Sequence, residues 1–384
     1  MRAAIRKKRF VGFDAIPGER FDQAENPNRA FYRISVQKAR IACYQVFIDT
    51  VDKHARPDIS RPLTPPTMII APDPQSWKAR QRLPIHERIL ALPPEACELV
   101  HKVNLASSLD AVPVPVAPTA VLRRELGEAI AGMPAAVREL IDPLLLGVCL
   151  GHGLGSSGIT DIVADTEGRI LGCVVLLDIG MLAPHGANSW ATWKENLPFL
   201  PDGDYTLSAT IAAPARDTRA GAMQYLLLHE FGHVLTAGYS FLPAWWAPVP
   251  EQRFAWLDLS WAVVDGRFLP YAESDFELRG VVDFYGKHKL GGDALVTACA
   301  GLERSDFASL YGATNPYDDF AECFASYVHR EMLGQPLALD VLAGGEPVAR
   351  LEGFWESPRS RAKRRFMNCL LGVEMDSAPA ALAA

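Results

Sequence analysis

The sequence predicts an α+β protein in which a mostly helical N-terminal region precedes a small, mostly antiparallel sheet and a set of longer helices. Three features carry this. Apolar residues recur at helical spacing through much of residues 27–148, strand-like segments alternate between Ile159 and Ile211, and two strongly patterned helices surround His229 and Glu322. With 384 residues, 49% apolar and 22% charged, the chain has a globular composition and the length for two domains or one large one.

Residues 1–26 read as a polar arm. A helix begins at Asn26-Pro27, where proline suits the first turn, and runs through Ile34, Ile41 and Phe47 toward His54. The prolines between Pro62 and Pro74 make a rigid connector with room for one short strand in Thr67–Ala71. Helices are predicted over about Trp77–Leu92 and Pro94–Leu109, which closes a helical region at 27–110. Ala111–Pro118 has too many prolines for helix and reads as an extended linker. The main domain follows over 119–372, with a helix capped by Thr119 that stops at Gly132 and another opened by Pro134 that runs to about Val148.

The glycine-dense Leu150–Gly158 has the composition of a dinucleotide-binding loop. Such a loop follows a strand and opens a helix, whereas this one follows a predicted helix and precedes a strand, so it reads as a turn with His152 structural. Ile159–Ala164 and Ile170–Leu177 form a hairpin about Asp165–Gly168. A polar loop with Trp190, Trp193, Lys194 and Glu195 leads to a third strand, Tyr205–Ile211. Trp245, Trp246, Trp256 and Trp261 read as packing residues. Ser305–Tyr311 reads as a short helix, Glu346–Trp355 as a last hairpin, and Pro358–Leu371 as a basic helix with a solvated face before a disordered tail at 373–384.

A net charge of −7 argues against a sequence-independent hold on nucleic acid. No apolar run reaches the ~18 residues that cross a bilayer, and the basic N-terminus lacks the apolar core of a secretory signal. Seven scattered cysteines, none in a C-x-x-C pair, fit a reduced compartment with buried thiols. A cytoplasmic protein without membrane or nucleic-acid partners is expected, and its oligomeric state is left open.

The chemistry centres on Tyr225–Leu235, which holds His229, Glu230 and His233 in the pattern H-E-x-x-H. Histidines four apart lie one turn above each other on a helix, so both imidazoles reach one metal ion with a carboxylate beside it. Thr218 and Gly238 supply the signals that start and stop such a helix. A catalytic zinc takes a third protein ligand, and a second helix offers it. Asn315 caps and Pro316 opens a helix to about Leu333, on which Asp318 and Glu322 are four apart among Phe320, Ala321, Phe324 and Ala325. Two carboxylates at core positions require partners, which a metal ion and a ligating imidazole provide. Asp319 reads as a first-turn acid favoured by the helix dipole.

Together, H-E-F-G-H and Y-G-A-T-N-P-Y-D-D-F-A-E-C-F resemble the gluzincin metallopeptidases, most closely the catalytic domain of the anthrax lethal factor type. The likeness covers about 229–238 and 311–330 and implies a zincin-like catalytic domain. It also implies Zn²⁺ on His229, His233 and Asp318, Glu322 supporting the site from behind, and Tyr311 stabilising the reacting oxygen. Aspartate stands at 318 where the family has glutamate, so either the helices sit closer or Glu322 ligates instead.

The expected function is peptide-bond hydrolysis on a peptide or protein substrate, with Glu230 as general base for a zinc-activated water. Two alternatives remain: an inactive binding or regulatory protein on the same fold, with His288 or His329 closing the site as a fourth ligand, and a zinc hydrolase of non-peptide amides or esters.

Overall fold

The computed structural model describes residues 68–247, 249, 253–286 and 288–373. The expected arm at 1–26, the helix from 27 toward His54 and the tail from 374 lie outside the described residues. The proline-rich connector ends in one short strand as expected, β1 (Ile69–Ile70).

Asp73 caps helix α1 (Pro74–Gln81), and its carboxylate accepts from the amides of Gln75 and Ser76. The helix expected to reach Leu92 stops here. Pro84 interrupts it, and Ile89–Ala91 becomes strand β2. Helix α2 (Pro94–Ala106) follows as predicted. The proline-alternating segment stays extended, and its Val114–Pro115 (β3) pairs with Gly151 and His152. Thr119 caps α3 (Ala120–Ala131), as read from the sequence.

The helix expected to run to Val148 ends at Ile141 as α4 (Ala135–Ile141), because Pro143 has no amide hydrogen for the helical ladder. Leu145–His152 is instead β4, a strand buried at all but its last residue. An unbroken apolar run of this kind fits a buried strand as well as a helix, and only its neighbours decide. The glycine-dense stretch then turns the chain between two strands, with Gly153 and Gly155 at positive φ.

The hairpin forms as β5 (Gly158–Ala164) and β6 (Ile170–Asp178). Strand order in the larger sheet is β1-β5-β6-β4-β2, with β3 added to β4. This sheet is mixed rather than mostly antiparallel, since β1–β5, β6–β4 and β4–β2 are parallel. One face packs on α1 and α2 through Trp77, Leu92, Ala96, Val100, Val163 and Val174.

The expected Trp-bearing loop is largely helix α5 (Ala187–Asn196), begun where the Gly186 amide donates to Ser189 Oγ. Strand β7 (Tyr205–Thr210) alternates as predicted but does not join the hairpin. It pairs with a strand far along the chain, as described below. Helix α6 (Arg219–Gly238), capped by Thr218, carries the H-E-x-x-H residues and packs on β5, β6, α3 and α5.

A small hairpin, β8 (Trp261–Val264) and β9 (Arg267–Pro270), and helix α7 (Ala294–Arg304) follow. Trp256 and Trp261 are core residues, as expected. The short helix expected at Ser305–Tyr311 is a series of turns. The Arg359 guanidinium takes the carbonyls of Leu302, Ser305 and Phe307 at 2.8–3.1 Å, acceptors that are then not left to a helical ladder.

Asn315 caps and Pro316 opens α8 (Pro316–Tyr327), whose last turn loosens into a π-turn through Met332. Strands β10 (Ala338–Ala343) and β11 (Glu346–Leu351) make the last hairpin about Gly344 and Gly345, earlier than predicted, and β10 pairs antiparallel with β7. Helix α9 (Arg361–Leu371) closes the described chain. Among the described residues, no helix is long and apolar enough to cross a membrane.

Candidate metal centre

The two motif helices, α6 and α8, pack against each other at Gly232. A β-carbon there would lie 2.6 Å from Ala321 Cα, so glycine is what permits the approach. That closeness lets the short Asp318 side chain come within 4 Å of both imidazoles.

His229 and His233 stand one turn apart with their Nε2 atoms 3.2 Å from each other. Asp318 Oδ1 lies 3.4 Å from His233 Nε2 and 3.7 Å from His229 Nε2. With metal–ligand bonds of 2.0–2.1 Å, a tetrahedral ion separates its ligand atoms by about 3.3 Å, so these three donors form one face of such a tetrahedron. His229 and Asp318 are buried and His233 half-buried, and the group could hold a metal ion. Asp318 Oδ2 turns away and accepts from Thr314 Oγ1 and Asn315 Nδ2. Asn315 therefore caps the helix with its carbonyl oxygen and orients the Asp318 carboxylate with its amide. Burial opposes ionisation of Asp318, yet the hydrogen bond and charge of His233 and the nearby His229 hold its carboxyl below the usual range.

Glu322, one turn further along α8, sits behind His229 and not among the three donors. Its Oε1 is 2.9 Å from His229 Nδ1, at an angle short of a well-formed hydrogen bond, and 2.7 Å from Lys194 Nζ. Its Oε2 accepts from Ser309 Oγ at 2.9 Å. Burial alone would raise its pKa, but the Lys194 ammonium and the His229 imidazole hold it well below the ordinary value. Of the two carboxylates the sequence offered, Asp318 therefore faces the shared point and Glu322 the back of one imidazole.

Glu230 is buried on the β5 side of α6. Its Oε2 accepts from Thr160 Oγ1 at 2.7 Å, and a β-carbon at residue 158 would come within 2.4 Å of Oε1, so Gly158 leaves the carboxylate its room. Tyr311 stacks on the His229 ring with centroids 5.5 Å apart. Burial, and then the charge of Asp318, push its hydroxyl well above the ordinary tyrosine value, which keeps it a donor. Gly158, His229, Glu230, Tyr285, Tyr311 and Glu322 line a crevice of about 10 Å³, the space of one water.

Sequence reasoning missed Lys194, which is buried on α5 with the Tyr311 ring 4.8 Å below its ammonium. Burial opposes its charge, but Glu322 and Glu195 raise its pKa. The signal available was the four-residue spacing of Trp190 and Lys194, which puts both on one helical face. Gly158, Thr160 and Ser309 carried no signal of their own.

Asp319 is more than a dipole-favoured acid. It is fully buried, receives Lys363 Nζ at 2.6 and 2.9 Å, and accepts from Trp261 Nε1 at 3.0 Å. Lys363 thus turns inward from the basic helix α9, whose face was expected to be solvated. His329 is committed elsewhere, with Nε2 2.7 Å from the carbonyl of Ile211, and His288 is exposed. Comparison of the chain with family models, with curated proteins and with solved structures finds no match.

Proposed function

We propose that the chain is a zinc-dependent metallopeptidase with a zincin-like catalytic domain, in which His229, His233 and Asp318 hold the ion. The observation that carries this reading is the triangle of donor atoms with edges of 3.2, 3.4 and 3.7 Å, flanked by a carboxylate and a phenol that a structural metal site does not need. Two imidazoles and one carboxylate are a donor set that zinc accepts in catalytic sites, with a position left for a water. Bound there, zinc supplies Lewis acidity and brings the pKa of a water to about 7.

The remaining work falls to the chain's own groups. Glu230, steadied by Thr160 and given space by Gly158, takes a proton from the attacking water and later delivers one to the leaving amine nitrogen. Tyr311 donates its hydroxyl to the oxygen that becomes negative at the tetrahedral carbon. Glu322, with Oε1 2.9 Å behind His229 Nδ1, would hold the proton on that nitrogen and so leave the Nε2 lone pair to the ion.

A peptide substrate is supported by the edge of β5. Among the described residues, β1 pairs only with Val163 and Ala164 on that side, which leaves the half-buried Gly158–Asp161 backbone to an extended chain beside Glu230. Metal analysis of the purified chain should find about one zinc per molecule, and mass spectrometry of a peptide mixture should reveal cleavage. Glu230→Gln should keep the zinc and lower the rate by about 10²–10⁴-fold. Zinc-free protein, or cleavage unchanged in that variant, would refute the reading.

A further inference from the structure

Tyr285 joins Tyr311 on the wall of the crevice beside Glu230. The two rings lie 5.9 Å apart and nearly perpendicular, at 80°. The Ser157 hydroxyl, on the turn that leads into β5, hydrogen-bonds to the Tyr285 phenol. Ser157 Oγ also accepts from Trp190 Nε1 at 3.3 Å, so its own proton is the one that serves Tyr285. The phenol then has its proton left to donate into the crevice.

Tyr285 belongs to no helix or strand, yet its place is fixed. The Gly286 amide donates to Asp283 Oδ1 at 2.8 Å, and Lys289 Nζ donates to the carbonyls of Asp283 and Phe284 at 3.1 and 2.8 Å. Phe284 is buried against Tyr311, with ring centroids 4.8 Å apart, and backbone hydrogen bonds tie Leu290 to Pro198 and Leu200. A donor held in place before the reaction needs no reorganisation as charge develops. Burial pushes the Tyr285 hydroxyl up to about 12, so it keeps its proton at neutral pH. Glu230 and Asp318 lie close enough to act on both phenols, which places the two hydroxyls at one locus.

We propose that Tyr285 is a second donor to the substrate oxygen that turns negative at the tetrahedral carbon, so that two phenols hold that oxygen rather than Tyr311 alone. The crevice between them has the space of one water, which is the size of one such oxygen. The inference rests on the metallopeptidase reading and gives a part to a residue which that reading left out.

Tyr285→Phe removes only the hydroxyl. Peptide cleavage should lose about 10²–10³-fold in kcat, with KM changed by less than about threefold and the zinc retained. Calorimetry supplies a readout apart from turnover. Its probe is the phosphinic analogue of the peptide cleaved fastest, with a tetrahedral phosphinate-methylene group in place of the scissile amide. The zinc-loaded Tyr285→Phe chain should bind this analogue about 10–100-fold more weakly than wild type. Ser157→Ala breaks the contact with the turn before β5 but leaves the phenol, and should keep kcat within about fivefold of wild type. Unchanged kcat or unchanged analogue binding in Tyr285→Phe, or equal losses in Tyr285→Phe and Ser157→Ala, would overturn the role of Tyr285 and leave the peptidase standing. A zinc-loaded wild-type chain that cleaves no peptide would instead remove the peptidase reading, and this role with it.

Discussion

At His229 each ring nitrogen faces a different carboxylate, with Asp318 near Nε2 and Glu322 near Nδ1, and the two acids are one helical turn apart. This division of labour predicts unequal losses. Asp318→Ala should remove stoichiometric zinc, whereas Glu322→Ala should weaken it by the ~10–100-fold typical of a group that only orients a ligand, as read by competition with a chelator. The reverse order would make Glu322 the ligand. A second residue-scale effect belongs to Asp161 on β5, whose carboxyl burial pushes up to about 7. A carboxyl with a raised folded-state pKa stays protonated in the folded chain after it has ionised in the unfolded one. Stability therefore falls as pH rises from about 4 to about 7 and levels off above. Urea midpoints of wild type and Asp161→Asn across that window should converge at low pH and separate as pH rises; parallel curves would discount the effect.

At the scale of elements, two glycines do different work. At Gly232 an added methyl meets backbone of the facing helix, which cannot yield without moving α6 from α8, so Gly232→Ala should cost about 1–3 kcal/mol and weaken zinc binding. At Gly158 the methyl meets the far end of the Glu230 side chain, which can swing away. Gly158→Ala should therefore change stability by less than about 1 kcal/mol, keep the metal, and lower cleavage by about 10²-fold through the displaced base. Chemical denaturation, zinc titration and cleavage rates measured on the pair separate helix spacing from base placement.

Across the whole molecule, the site depends on elements drawn from distant parts of the chain. α5 brings Lys194 to Glu322, and α9 brings Lys363 to Asp319, the residue next to Asp318. Lys363→Ala would leave Asp319 buried without its cation and should destabilise by about 3–5 kcal/mol, whereas Arg361→Ala on the exposed side of the same helix should stay within about 0.5 kcal/mol. Equal losses in urea denaturation would mean that α9 contributes through general packing rather than this ion pair.

What the sequence determined by itself is what depends on spacing within one element. The pairing of His229 with His233, the Thr218 and Asn315 caps, the helix from Pro316 and the hairpin about Gly168 are set by residues within a few positions of each other. The resemblance to a metallopeptidase group came from the same two local motifs. Tertiary structure alone decided that Leu145–His152 is a central strand, that Tyr205–Thr210 joins the C-terminal hairpin, and that Asp318 rather than Glu322 faces the two imidazoles. It alone brought Lys194 and Lys363 inside. Periodicity and capping are short-range energies that repeat wherever their residues do. The partner of a buried charge, or the neighbour of an apolar run, is fixed by which distant segment the packed core places beside it.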